Sequence, residues 1–265
     1  MVGGRPCNVP RDTAEEYTPV TFDIGRERDD IDRIAADSWY SKGANAAMVR
    51  YCARIWRRVW RGTSCLELGP AEGLMTASLA EVFPDLTIVE GSSTFCAELS
   101  RRYPTANVVC SLFEEFRPSR QFDVIVMGHV LEHVADPRAL LSTARNWLGD
   151  DALVYAAVPN ARSVHRQAAV LMGLLEEEHA LNDTDRHQGH RRVYDPEGLR
   201  ADFLATGYRI EIFGGYWIKP ISNAQIDAQW SAEMLDAFMQ LGERYPDIAA
   251  EIYVVASPDG ASPSK

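Results

Sequence analysis

All six histidines of the chain, His129, His133, His165, His179, His187 and His190, fall between positions 129 and 190. Histidine is the side chain that takes and returns a proton near neutral pH, so this span is where a proton-transfer step could run. Two groups stand out. His129 and His133 lie four apart in Gly128-His-Val-Leu-Glu-His133 and share a face if that loop is a helical turn. The second group is Asn182-Asp-Thr-Asp-Arg-His-Gln-Gly-His-Arg-Arg-Val-Tyr194, polar and Gly-bearing, hence a loop. In it His187 and His190 are candidate general bases, and Asp183 or Asp185 could orient them. Arg186, Arg191 and Arg192 could hold a carboxylate or phosphate. A salt-bridged loop with no catalytic part is the competing reading. His133 is a third catalytic candidate, against a role bonding backbone at a strand–helix junction. No metal site is expected from His129 and His133, because no third ligand is signalled.

The elements that must position these groups begin with Cys65-Leu-Glu-Leu-Gly-Pro-Ala-Glu-Gly73. An apolar run ends in an acid, turns through glycines and opens into the helical pattern Leu74–Ala80; a second apolar run ends in Glu90. That is the layout of a nucleoside-binding α/β domain, with the turn under the ligand and the second-strand acid on the ribose hydroxyls. A dinucleotide site would want three close glycines for its pyrophosphate. Here Pro70 has no N–H to offer and Ala71 keeps a methyl. Glu67 would repel a phosphate but could accept a hydrogen bond from an ammonium. The pocket is thus expected to take a nucleoside carrying a zwitterionic amino-acid tail, the shape of S-adenosylmethionine.

With those residues in view, Glu67-Leu-Gly-Pro-Ala-Glu-Gly73 resembles the first motif of the class I S-adenosylmethionine-dependent methyltransferases, E/D-x-G-x-G-x-G. Gly69 and Gly73 match its first and third glycines, Ala71 replaces the second, and Glu90 stands where the family has its ribose-binding acid. Gln121-Phe-Asp-Val-Ile-Val-Met-Gly-His-Val-Leu-Glu-His-Val-Ala-Asp-Pro137 is similar to the family's fourth-strand motif. The resemblance covers roughly residues 45 to 258 and extends to the small-molecule, natural-product biosynthetic members. It implies cofactor contacts from Glu67, Gly69, Ala71, Gly73, Glu90, Ser111, Leu112 and His129. It also implies a seven-stranded, mostly parallel, doubly wound sheet whose last strand enters antiparallel. The expected reaction moves a methyl group to a hydroxyl or amine of a small polar molecule such as a sugar, amino-acid or natural-product intermediate. An RNA or protein methyltransferase and a non-catalytic cofactor-binding protein are the alternatives.

Charge and composition narrow the partners. With 27 Lys and Arg against 38 Asp and Glu, the net charge of −11 disfavours nucleic acid and membrane surfaces. Arg54, Arg57, Arg58 and Arg61 would share a helix face, which reads as a solvated one. The five cysteines show no C-x-x-C pair, and buried free thiols of a reducing compartment explain them. No signal peptide or membrane span is read, so a cytoplasmic monomer or homodimer is expected.

Strand-like runs occur at Ser64–Leu68, Leu86–Glu90, Asn107–Cys110, Phe122–Met127 and Ala152–Val158, with helical patterns between them. A helix at Pro196–Thr206, a strand at Tyr208–Phe213, a helical pattern at Ser222–Leu241 and a strand at Glu251–Ala256 follow. Residues 1–45 are expected to form a helical arm or cap, 46–258 the cofactor-binding domain, and 259–265 a disordered tail. Residues 159–194 are an insertion at the ligand edge of the sheet, expected as a substrate lid. Its helix, Ala161–Glu177, would pack through Val164, Ala168, Leu171 and Leu175. Tyr40, Asn160, His165, Arg191 and Tyr216 are assigned to the substrate wall, with Trp39, Asn45 and Trp217 as further candidates.

Overall fold

The computed structural model describes residues 23–36, 38 and 41–260. Its centre is the apolar run Val124-Ile-Val-Met127, in which all four side chains are fully buried. A strand covered on both faces needs no polar alternation, and this one lies in mid-sheet for that reason. The parallel strands are β1 (Ser64–Leu68), β2 (Asp85–Glu90), β3 (Asn107–Cys110), β4 (Phe122–Gly128) and β5 (Leu148–Pro159). With β6 (Tyr208–Tyr216) and β7 (Glu251–Pro258) they form one seven-stranded sheet, ordered β3-β2-β1-β4-β5-β7-β6. β7 runs antiparallel to both β5 and β6. This is the doubly wound methyltransferase-type sheet expected from the sequence. Chain order reverses beside β1, so the crevice past the carboxyl ends of β1 and β4 is where such a sheet binds a ligand.

Two cores cover the two faces. Cys65, Ile88, Val124 and Val126 pack on one side with Trp56 of α2 (Gly43–Trp56) and with α3 (Leu74–Ala80). Leu66, Val89, Ile125 and Met127 pack on the other with Leu140 and Leu141 of α5 (Pro137–Arg145) and with α8 (Pro196–Ala205). α4 (Ser93–Arg102) links β2 to β3. Asp136 and Asp195 cap α5 and α8, each followed by a proline at the first helical position.

Several boundaries differ from expectation. The helical pattern over 222–241 is two helices, α9 (Asn223–Gln229) and α10 (Ala232–Arg244), because Trp230 is extended and Ser231 caps the second. The insertion helix is short: α6 spans Val164–Leu171, and Leu171 is 90% exposed rather than packed. The segment read as a loop after Asn182 holds a one-turn helix, α7 (Asp183–His187), fixed by a reciprocal capping box between Asn182 and Asp185. Asp259, placed in a disordered tail, donates its N–H to the Gly207 carbonyl at 2.8 Å and accepts from Arg145. α2 ends at Trp56, so only Arg54 of the expected arginine face is helical; Arg54 pairs with Asp236, Arg57 with Glu81 and Arg58 with Glu243. No helix among the described residues is long and apolar enough to cross a membrane.

One turn carries a stability prediction. Gly73 has φ 75°, and a Cβ there would stand 2.7 Å from Leu99 Cδ2. Gly73→Ala meets both a left-handed backbone and a clash, and is expected to cost about 2 kcal/mol in urea unfolding. An unchanged midpoint would show that the turn relaxes freely.

Candidate active site

A cleft of 680 Å³ opens past the carboxyl ends of β1, β2 and β4. Gly69 and Ala71 form its floor, Glu90, Ser111 and Leu112 one wall, and His129, His133, His190 and Arg191 the far end. A smaller chamber beside it is lined by Glu67, Gly69, Ala71, Gly128 and His129. The larger space falls in the range that holds a nucleoside-sized ligand.

The floor is shaped by backbone. Gly69 has φ 60° and Ala71 φ 48°, so the alanine adopts the left-handed conformation a glycine would normally supply. The turn therefore survives the Gly-to-Ala departure at position 71. The Gly69 N–H is tied to the Val89 carbonyl at 2.9 Å, which brings the turn beside the end of β2. There Glu90 accepts from Ser92 N–H at 2.8 Å and from Ala71 N–H at 3.2 Å. Burial raises its pKa above the ordinary carboxylate value, while these backbone bonds pull the other way. Glu67 is 2% exposed and accepts from Thr76 Oγ1 at 2.6 Å. Burial pushes it up to about 8, with Glu90 adding repulsion. A buried carboxyl at the edge of this chamber fits a ligand that brings its own positive charge. The residues present therefore fit a nucleoside with an ammonium-bearing tail.

The histidines separate into those that reach the cleft and those that do not. His133 and His190 meet edge to face, ring centroids 4.8 Å apart, and both line the cleft. Burial pushes His133 down to about 4, so it is a neutral imidazole at pH 7. His190 has Asp185 behind it, Nδ1 to Oδ1 3.5 Å. Asp185 is held in turn by Arg166 at 3.0 Å and by the Asn182 N–H at 3.0 Å. His187, three residues earlier, is exposed at the end of α7 and lies outside the cleft lining. α7 ends at His187, and the chain turns through Gln188 and Gly189 before His190 enters the cleft. His129 has φ 59° and points Nδ1 at Glu132 (3.2 Å) and Glu251 (3.8 Å). Burial works against its charged form, but the two carboxylates outweigh it and hold the pKa above the ordinary value. Glu132, His133 and His190 also bring donor atoms within 4.8 Å of one another, a grouping that leaves out His129 and that the sequence spacing did not signal.

Several assigned wall residues have other work. Asn160 is fully buried and spends its amide on the Asp247 and Ala249 carbonyls and the Arg162 N–H. Tyr216 is fully buried and stacked on Tyr51 at 5.8 Å; its hydroxyl reaches the cleft only through His129 Nε2, 3.5 Å away. Trp217 is likewise core. His165 is half-buried in the insertion, its pKa driven down to about 2 by loss of solvent around the ring, and it does not line the cleft. Asn45 accepts from Asn223 at 2.7 Å. Arg192 donates to the carbonyls of Leu131, Val134 and Ala135 and so clamps the loop carrying His133. Tyr40 and Trp39 lie outside the described residues.

The cleft is roofed by a helix that the sequence reading left as an undivided arm. α1 (Ile24–Ala36) contributes Arg26, Asp30, Ile31, Arg33 and Ile34 to the lining, whereas the 159–194 insertion reaches it only through Gln188–Arg191. α1 is tethered by Glu27 to Arg191 (2.6 Å), Arg28 to Glu115 (2.6 Å) and Asp32 to Ser92 (3.0 Å). Its signal was the spacing of Ile31, Ile34 and Ala35 in an otherwise charged stretch.

Comparison with known proteins decides the family. Residues 40–211 match the model of the methyltransferase domain. The chain belongs to the methyltransferase-domain family. A ubiquinone biosynthesis O-methyltransferase from Rhizobium etli (strain CIAT 652) is 24% identical over 250 residues, covering 84% of this chain and 96% of that one. Among solved structures, a possible histamine N-methyltransferase from Thermotoga maritima superposes with TM-score 0.55 at 13% identity, covering 80% of this chain and 90% of that one. The N-methyltransferase NodS from Bradyrhizobium japonicum WM9, solved with S-adenosyl-L-homocysteine, gives 0.54 at 13%, covering 89% and 96%. At such identities these structures establish the shared fold of this methyltransferase.

Proposed function

We propose that this methyltransferase moves a methyl group from S-adenosylmethionine to a hydroxyl or amine of a small polar molecule such as a sugar, amino-acid or natural-product intermediate. The observation that carries this is that one cleft is lined both by Gly69, Ala71 and Glu90 and by the His133–His190 pair. When bound, the cofactor supplies an electrophilic methyl on a sulfonium. Glu67 takes the ammonium of its tail, Glu90 the ribose hydroxyls, and Ser111 and Leu112 flank the adenine. The acceptor lies under α1 against His133, His190 and Arg191. His190, oriented by Asp185, takes the acceptor's proton, and α1 excludes water from the reacting pair. His133, kept neutral by burial, orients the acceptor by hydrogen bonding. The net charge of −11 disfavours a polyanionic acceptor, which supports the small-molecule reading.

The test converts S-adenosylmethionine to S-adenosylhomocysteine with a panel of small hydroxyl and amine acceptors. His190→Ala is expected to lower kcat by about a hundredfold or more while leaving S-adenosylhomocysteine affinity unchanged. His187→Ala is expected to do neither. Loss of turnover in the His187 variant alone would move the base to α7.

A further inference from the structure

We propose that Cys96 and Cys110 form a modification site: the pair closes to a disulfide under a hydroperoxide, and the oxidised protein holds its nucleoside more weakly. The second half rests on the S-adenosylmethionine reading of the cleft.

Both cysteines converge on Glu90. Cys96 is buried on α4, and its thiol donates to the Glu90 carbonyl at 3.3 Å. Cys110 ends β3 as the ladder partner of Glu90 and is exposed, contrary to the expectation of buried thiols throughout. The Glu90 carbonyl that takes the Cys96 thiol also accepts the N–H of Ser111, the residue after Cys110, at 2.9 Å, so α4 and β3 bring the two cysteines to one backbone group. Cys52 and Cys65, the other described cysteines, are buried in the opposite core. The immediate neighbours of the pair, Phe95 and Ser111, both line the cleft, as do Glu90 and Gly91. A bond between the two sulfurs therefore ties together two pieces of the cleft wall.

The chemistry balances without a further reactant. The exposed Cys110 thiolate attacks the hydroperoxide: an S–O bond forms, the O–O bond breaks, and water or an alcohol leaves. Cys96 sulfur then attacks Cys110 sulfur: the S–S bond forms, the S–O bond breaks, and hydroxide departs with the Cys96 thiol proton as water. Two thiols lose two electrons and the hydroperoxide gains them. Burial holds the Cys96 thiol well above its ordinary pKa, so Cys110 reacts first and Cys96 resolves. Closure removes the hydrogen bond from Cys96 to the Glu90 carbonyl and draws Ser111 with Cys110, disturbing the acid that faces the ribose.

The experiment uses the full chain carrying Cys7→Ser, treated with hydrogen peroxide and compared with a Cys110→Ser version. Peptide mass mapping reads the cross-link, and calorimetric titration with S-adenosylhomocysteine reads the reduced, oxidised and re-reduced forms. A 96–110 disulfide with affinity about five- to tenfold weaker, restored by dithiothreitol and absent in Cys110→Ser, supports the proposal. Over-oxidised Cys110 without a cross-link overturns it, and so does a cross-link that leaves affinity unchanged. A reduced protein that does not bind S-adenosylhomocysteine overturns the cofactor reading instead; the mass map then decides the disulfide alone.

Discussion

Glu90→Ala is expected to weaken S-adenosylhomocysteine binding by about a hundredfold or more, and 5′-methylthioadenosine binding by the same factor. Hydrogen bonds to a charged acceptor contribute about 1.5–3 kcal/mol each, and a carboxylate facing a ribose can accept two. The variant also leaves the N–H groups of Ala71 and Ser92 without the acceptor that holds them at 3.2 and 2.8 Å. Because 5′-methylthioadenosine keeps the ribose and lacks the amino-acid tail, equal losses for the two ligands locate Glu90 at the sugar. Calorimetry on both ligands checks this. A loss confined to S-adenosylhomocysteine would place Glu90 at the tail, and no loss would remove it from the site.

What the sequence made legible follows from how local each feature is. The β1–turn–α3 unit and Glu90 were readable because a strand, its turn and the next strand are set by short-range chemistry. The left-handed φ of 48° at Ala71 shows that the turn's path is imposed by its neighbours even where the residue is not glycine. Asn160 and Tyr216 were misplaced for the opposite reason. A position at the ligand edge of a sheet says nothing about which way the side chain turns, and both turn into the interior. His187 and His190 differ by three residues, yet His187 ends α7 and His190 lies beyond it, and only the second lines the cleft. Glu251 illustrates a group no local pattern could find. It starts β7 and comes within 3.8 Å of His129 only because β7 inserts antiparallel beside β5. Burial lifts it to about 6, so it changes charge close to neutral pH beside the cleft. A helical arm was expected, but the bounds of α1 within it were not legible because its apolar residues are few; α1 buries no residue fully and is held largely by charge.

Glu67 makes the sharper claim, because its charge should change when the ligand binds. Burial raises it to about 8, so in the free protein at pH 7 it is mostly protonated. An ammonium placed against it favours the carboxylate, and the proton must leave. Binding of S-adenosylhomocysteine at pH 7 is therefore expected to release close to one proton. The release would appear as a binding enthalpy that depends on the buffer's ionisation heat, and it should vanish above about pH 9, where Glu67 is already ionised. The same shift acts on stability, with a sign that can be worked out. A carboxyl with a higher pKa folded than unfolded binds more protons in the folded state, so stability falls as pH rises from the ordinary carboxyl value of 4.5 to about 8. Glu67→Gln removes both effects at once. It should abolish the proton release, weaken S-adenosylhomocysteine by about tenfold or more, and leave 5′-methylthioadenosine untouched. The ligand-free variant should also gain melting temperature over wild type at pH 9 but not at pH 4. Glu90→Ala weakens both ligands and Glu67→Gln only the one with a tail, so the pair of variants maps sugar and tail separately. A wild-type protein that binds S-adenosylhomocysteine without releasing a proton at pH 7 would mean that Glu67 is already charged, and that the ammonium is met elsewhere in the cleft.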